Sequence, residues 1–113
     1  MHEMSIAKSI IDIVKGEFDN TGASVLAEVE LEIGRLAGVE YDAIEFALKV
    51  LARDSIIEGV SVVIKKPSGL AVCSKCGREF ETEDFLNSCP ACSSYACEII
   101  RGKELRVSSI LVD

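Results

Sequence analysis

Residues 73–92 read CSKCGREFETEDFLNSCPAC, two C-x-x-C turns separated by twelve residues. Two such turns on facing loops bring four thiolates to the corners of a tetrahedron, the geometry Zn²⁺ prefers. Gly77 relieves the backbone after the first pair. A redox C-x-x-C needs only one pair and a thioredoxin-like surrounding, and no such pattern flanks these residues. Iron in a rubredoxin-like knuckle takes the same four ligands, so the spacing alone leaves zinc and iron both open. Four thiolates close the coordination shell, whereas a catalytic zinc keeps an open position, so a structural metal is expected on Cys73, Cys76, Cys89 and Cys92. Cys97 has no sequence partner and reads as a buried strand thiol. In so small a segment, Phe80, Phe85 and Tyr95 are expected to pack around the metal.

Outward from this stretch, regular periodicity is poor between Pro67 and Gly102, and every cysteine falls inside that interval. The flanking sequence behaves differently. MSIAKSIIDIVKGEF, residues 4–18, places Ala7, Ile10, Ile11, Val14 and Phe18 at helical spacing, with Gly22 as the stop. ASVLAEVELEIG alternates, with Val25, Ala27, Val29, Leu31 and Ile33 on one face and Glu28, Glu30 and Glu32 on the other, as a half-buried strand does. The glutamates read as a solvated face, since three carboxylates along one strand repel without a counter-ion. A second helix follows, with Asp42 and Glu45 as a capping box, Tyr41 stapled onto Phe46, and Ile44, Ala47, Leu48 and Leu51 as its stripe. GVSVVIKK and GKELRVSSILVD read as strands, the second slipping its alternation near Ser108–Ser109 at a bulge or an edge.

The expected fold is therefore α+β: a small helix–strand–helix–strand domain whose sheet the C-terminal strand completes, with an inserted four-cysteine zinc-ribbon-like domain. Its expected parts are 1–66 joined by 103–113, and the insertion 67–102. The 113-residue chain is 49% hydrophobic but only 5% aromatic, so its core must be aliphatic. Its formal charge is −7, and four thiolates with Zn²⁺ would take it to about −9. Nucleic-acid binding needs a basic stripe, and none is present. No apolar run approaches the roughly 20 residues of a membrane span, and MHEMSIAKSI lacks the basic n-region and cleavage site of a signal peptide. Cytoplasm is the expected compartment.

His2 is the sole histidine. Termini tolerate almost any residue, yet an amine, an amide and an imidazole one residue apart can also chelate a metal. The whole chain resembles the HypA/HybF family of hydrogenase-maturation nickel chaperones. The likeness rests on Met1-His2-Glu3-Met4-Ser5, on Leu31-Glu32-Ile33-Gly34 followed by Ala37-Gly38-Val39-Glu40, on both C-x-x-C pairs, and on Gly102-Lys103-Glu104-Leu105-Arg106-Val107. These pieces lie in the family's order across essentially all of the chain. The resemblance implies a nickel donor for the [NiFe] hydrogenase large subunit, working with a GTPase partner, and in some organisms with urease accessory proteins. It maps nickel binding onto Met1, His2 and Glu3, and zinc binding onto Cys73, Cys76, Cys89 and Cys92. The chain departs from the family in Ser93, where glycine is common, and in having no histidine in the cysteine segment to offer nickel.

The chemistry of the first residues agrees. The Met1 amine and His2 amide close a five-membered ring on a metal, and the His2 amide and Nδ1 close a six-membered one. Three coplanar nitrogens suit a square-planar ion such as Ni(II). Glu3 supplies an amide or carboxylate, or leaves the fourth place to a partner. Enzymatic activity is not expected, because no general base or nucleophile stands beside a closed metal. No G-x-x-x-x-G-K-[ST] phosphate loop occurs, so nucleotide hydrolysis would belong to a partner. The competing reading is a zinc-ribbon adaptor or redox knuckle with no nickel role.

Overall fold

A computed structural model describes residues 3–83 and 88–113. The chain divides into two compact units, 1–32 with 39–65 and 106–113, and 33–38 with 66–105. The segment 33–38, expected with the helices, groups with the cysteine-bearing unit.

In the first unit, α1 spans Glu3–Thr21 and α2 spans Tyr41–Ala52. α1 ends where Gly22 takes φ 71°, a left-handed conformation that glycine adopts without a Cβ penalty. The two helices pack on each other, burying Ala7, Ile10 and Val14 of α1 and Ile44, Ala47 and Leu48 of α2. The expected cap of α2 is displaced. Glu40 is the N-cap and makes no side-chain cap bond, which puts Asp42 inside the first turn, where its charge still favours the helix N-terminus. The same shift moves the staple positions to Val39 and Ile44; Ile44 is fully buried, while Phe46 is 68% exposed and is shielded little by Tyr41.

Strand β1, Leu26–Ile33, lies between β2, Ser61–Lys65, and the C-terminal strand β6, Leu105–Val112. β1 and β2 are parallel, with Glu28 opposite Ser61 and Glu32 opposite Lys65, as a crossover through α2 requires. The C-terminal strand thus completes the sheet as expected, at its edge. Val29, Leu31 and Ile33 are buried on one face, and full burial of each such side chain is worth about 1.5–3 kcal/mol. Val25 departs from the expected face: it is exposed and Leu26 is buried. Ser24 N–H donates to the Asp113 carbonyl while the Val25 carbonyl accepts from Asp113 N–H, two residues facing one, and the alternation slips there.

The glutamate row is solvent-facing but not unopposed. Arg106 grips Glu32, its Nε 2.6 Å from Oε1, and Lys65 Nζ lies 3.4 Å from Glu30. Ser108 Oγ donates to the Glu30 carboxylate at 2.9 Å, and with Lys65 beside it holds that carboxyl below its usual range. Solvent screens exposed pairs of this kind, so they fix register more than they stabilise.

The second unit holds β3, Gly69–Cys73, β4, Glu79–Thr82, and β5, Cys97–Arg101, in a sheet ordered β4-β3-β5. Both pairings are antiparallel, with a bulge between Leu70 and Ala71. The segment 33–38 is bound to both stems of this sheet: Gly34 N–H donates to Glu104 O (2.8 Å), Arg35 N–H to Pro67 O (3.0 Å), and Leu36 N–H to Gly102 O (2.8 Å).

Candidate metal centre

β3 ends in Cys73, and the chain turns back at once. Gly77 N–H donates to Cys73 O and Cys73 N–H to Arg78 O, at 2.8 and 2.9 Å. The second turn repeats the first: Ser93 N–H donates to Cys89 O and Cys89 N–H to Ser94 O, both at 2.8 Å. In each turn the residue after the second cysteine is left-handed, Gly77 at φ 77° and Ser93 at φ 64°. The glycine sits there freely, and the serine bears the Cβ strain.

The two turns bring all four sulfurs within 4.8 Å of one another. Cys73 and Cys92 stand 3.5 Å apart, as do Cys76 and Cys89. Four sulfurs each about 2.3 Å from Zn²⁺ define a tetrahedron with edges of about 3.8 Å, so the donor set fits that ion with small adjustment. Cys73 and Cys89 are buried, while Cys76 and Cys92 face solvent.

Their acidities divide along the same line. The Cys76 backbone amide and that of Lys75 draw the Cys73 thiol down to about 6 against its desolvation. Burial works against ionisation of Cys89, but the amides of Cys92 and Ala91 more than offset it and lower its pKa; Ala91 N–H points at its sulfur from 3.4 Å. At Cys92 the Ser94 amide pulls down, yet the neighbouring Cys73 sulfur and desolvation push the thiol up to about 12. Cys76 is raised as well: the pull of the Arg78 amide is outweighed by Cys89 and by desolvation. Each contacting pair therefore joins one acidified and one proton-retaining sulfur.

Cys97 lies opposite Cys73 on β5, half-buried, its Sγ donating to Ser94 O at 3.5 Å. Burial raises its thiol first, and the charge of Cys73 adds to that. Of the aromatics expected around the metal, Phe80 is half-buried, Tyr95 is 75% exposed, and Phe85 lies outside the described residues. Tyr95 stands in the turn before β5, exposed among the described residues. Buried Ala71, Thr82 and Leu36 fill the unit instead, and Leu36 comes from the segment 33–38.

At the other end of the chain, Met1 and His2 lie outside the described residues. Glu3 opens α1, and its Oε2 is buried with no hydrogen-bond partner among the described residues. A buried, unpaired carboxylate oxygen is costly unless a cation or donor meets it.

Apart from the strand read at Cys97, the second unit's strands went unread in the sequence. GLAVC does alternate, with Gly69, Ala71 and Cys73 buried, but its inward residues are small or cysteine and carry no hydrophobic signal. No described helix is long and apolar enough to cross a membrane.

A family model described as "Hydrogenase/urease nickel incorporation, metallochaperone, hypA" matches residues 1–112. The hydrogenase maturation factor HypA of Parabacteroides distasonis is 45% identical over 112 residues, covering 99% of this chain and 97% of that protein. Its counterpart in Geobacter metallireducens is 43% identical over 113 residues, covering both chains completely. The solution structure of the Ni metallochaperone HypA from Helicobacter pylori aligns with a TM-score of 0.70 at 21% identity, over 99% of this chain and 97% of that one. A further HypA solution structure gives 0.72 at the same identity, over 99% of this chain and 96% of that one. At that identity the two structures speak to the fold, which they share with this chain.

Proposed function

Because this chain belongs to the HypA family of hydrogenase and urease nickel-incorporation metallochaperones, we propose that it binds Ni(II) at its first residues and passes it to the [NiFe] hydrogenase large subunit. The family is one of metallochaperones, not enzymes, so this protein carries metal and turns over no substrate. The Met1 amine, the His2 amide and the His2 imidazole supply three nitrogens in a plane, and Glu3 supplies the fourth donor. The observation that carries this reading is the buried Glu3 oxygen without a described partner, next in sequence to the only imidazole in the chain. A carboxylate corner exchanges more readily than the chelated nitrogens, which suits a carrier that must release its cargo.

The four-cysteine cluster serves as a structural zinc site held by Cys73, Cys76, Cys89 and Cys92. Zinc there supplies cross-linking rather than Lewis acidity, because four thiolates leave no open position. The chain's part is to present the sulfurs: two equivalent turns aim backbone amides at them and keep the inner pair buried. In domain terms, 1–66 with 103–113 carries nickel and 67–102 carries zinc. A GTPase partner drives transfer, urease accessory proteins are a second route of delivery, and the cytoplasm is where both meet the chain.

The test is hydrogenase maturation in cells lacking this gene. The wild-type chain should restore hydrogenase activity, and His2→Ala should not, although it accumulates to the same level. Full restoration by His2→Ala would overturn the nickel assignment.

A further inference from the structure

The fifth cysteine is placed with more care than a filler thiol needs. Cys97 is the Cα partner of Cys73 across the antiparallel β3–β5 pairing. One step along, Ser74 N–H donates to Ala96 O at 2.8 Å, which makes 73–97 a pair with no ladder bonds of its own. Opposing Cα atoms at such a position stand about 4.5 Å apart and project their side chains close together on one face of the sheet. Cys97 therefore issues from the same level and the same face as the cluster's innermost ligand.

We propose that Cys97 is an alternate fourth ligand, so that the metal has two four-thiolate sets: Cys73 or Cys97, together with Cys76, Cys89 and Cys92. The exchange is neutral. Cys97 gives up its thiol proton and its bond to Ser94 O as it binds, Cys73 takes a proton as it leaves, and the charge of the site is unchanged. Both side chains issue from adjacent strands of one sheet, so the exchange calls for the Cys97 side chain to turn from Ser94 O toward the cluster. Cys92 has no such substitute. It sits on a turn, and no other cysteine is paired with it in a strand register among the described residues. The two turns are thereby unequal: the knuckle based on Cys73 tolerates loss or modification of its inner ligand, and the Cys89–Cys92 knuckle does not.

This inference rests on the zinc reading of the cluster, and the experiment separates the two. Co²⁺ is titrated into the full-length wild-type chain and into Cys73→Ser, Cys97→Ser, Cys92→Ser and Cys73→Ser/Cys97→Ser. Sulfur-to-cobalt charge-transfer and ligand-field bands report the number of thiolates. Cys73→Ser should bind one Co²⁺ with a four-sulfur spectrum, within about tenfold of wild-type affinity, and Cys97→Ser should match wild type. Cys92→Ser and the double variant should fall to a three-sulfur spectrum and bind about a hundredfold more weakly. If Cys73→Ser behaves like Cys92→Ser, whether by a three-sulfur spectrum or by failing to fold, the alternate-ligand proposal is overturned. If the wild-type chain itself shows no four-sulfur cobalt spectrum, it is the metal-site reading that fails.

Discussion

Replacing Gly34 with alanine should be among the most damaging single-methyl changes available in this chain. A Cβ at Gly34 would stand 1.9 Å from the Gly102 carbonyl oxygen, 2.2 Å from its carbon and 2.8 Å from Glu104 Oε1. Relieving that overlap to ordinary contact needs a separation of about 1.5 Å, and the obstacle is backbone, which cannot rotate aside. Two 2.8 Å hydrogen bonds cross the same gap, Gly34 N–H to Glu104 O and Leu36 N–H to Gly102 O. Both donors belong to buried residues, so losing the two bonds costs about 1–3 kcal/mol each. A segment that held its place would keep the bonds but bear overpacking of about 1–3 kcal/mol instead. The net should be about 4 kcal/mol, read as a fall in the urea midpoint of the metal-loaded chain followed by circular dichroism. Gly16→Ala is the internal control. Gly16 lies within α1 and its Cβ would meet nothing within 4 Å, so it should gain about 1 kcal/mol from helix propensity. If Gly34→Ala unfolds within about 1 kcal/mol of wild type, the close approach does not hold this segment in place.

Ser93→Gly should stabilise the second turn by about 1 kcal/mol, because it removes a Cβ from a left-handed residue at φ 64°; a chelator challenge that strips zinc no more slowly would count against it. Zinc uptake at pH 7 should release at least two protons per chain, from Cys76 and Cys92, whose thiols are raised, and little from Cys73, which at about 6 is mostly ionised already. Calorimetry in buffers of different ionisation enthalpy reads that number, and zero release would contradict the division of acidities. Since the Cys73 pKa falls from 9.0 to about 6 on folding, its ionisation supports the metal-free fold fully above pH 9.0. That support should fade as pH drops toward 6, measured as a falling urea midpoint of chelator-treated protein. Cu²⁺ should displace Ni²⁺ from the purified chain, because a planar nitrogen site follows the Irving–Williams order; a competition titration favouring nickel would imply ligands beyond the first three residues.

The helices and the first sheet were legible because large aliphatic residues recur in them at fixed periods: Ala7, Ile10 and Val14 at helical spacing, and Val29, Leu31 and Ile33 at alternate positions. The gathering of the four cysteines into one cluster was legible for a different reason, since paired C-x-x-C turns have few other uses. What escaped was structure held by backbone and small residues. β3 turns Gly69, Ala71 and Cys73 inward, and no hydrophobicity pattern marks such a strand. The excursion 33–38 joins the cysteine unit through glycine contacts and main-chain bonds to Pro67, Gly102 and Glu104, pairings too distant in sequence to foresee. The cap of α2 lies two residues before the expected one: Asp42 offers the stronger capping side chain, but Glu40 holds the place. Cys97 read as a buried thiol; only its register opposite Cys73 gives it a chemical neighbour.

If nickel is held by the first atoms of the chain, a nickel titration of three proteins shows it most directly. They are the native chain, the chain extended by one residue before Met1, and His2→Ala. Each is titrated at about pH 7.5 and about pH 6, on either side of the reference pKa of imidazole, about 6.5, and below that of an α-amine, about 7.7–8.0. The native chain should bind one Ni(II) tightly, and more weakly at the lower pH as protons compete for both groups. Extension should move the amine out of the chelate and His2→Ala should remove the imidazole, so both should lose tight binding while zinc content and circular dichroism stay unchanged. An extended chain that binds nickel as tightly as the native one would contradict the claim.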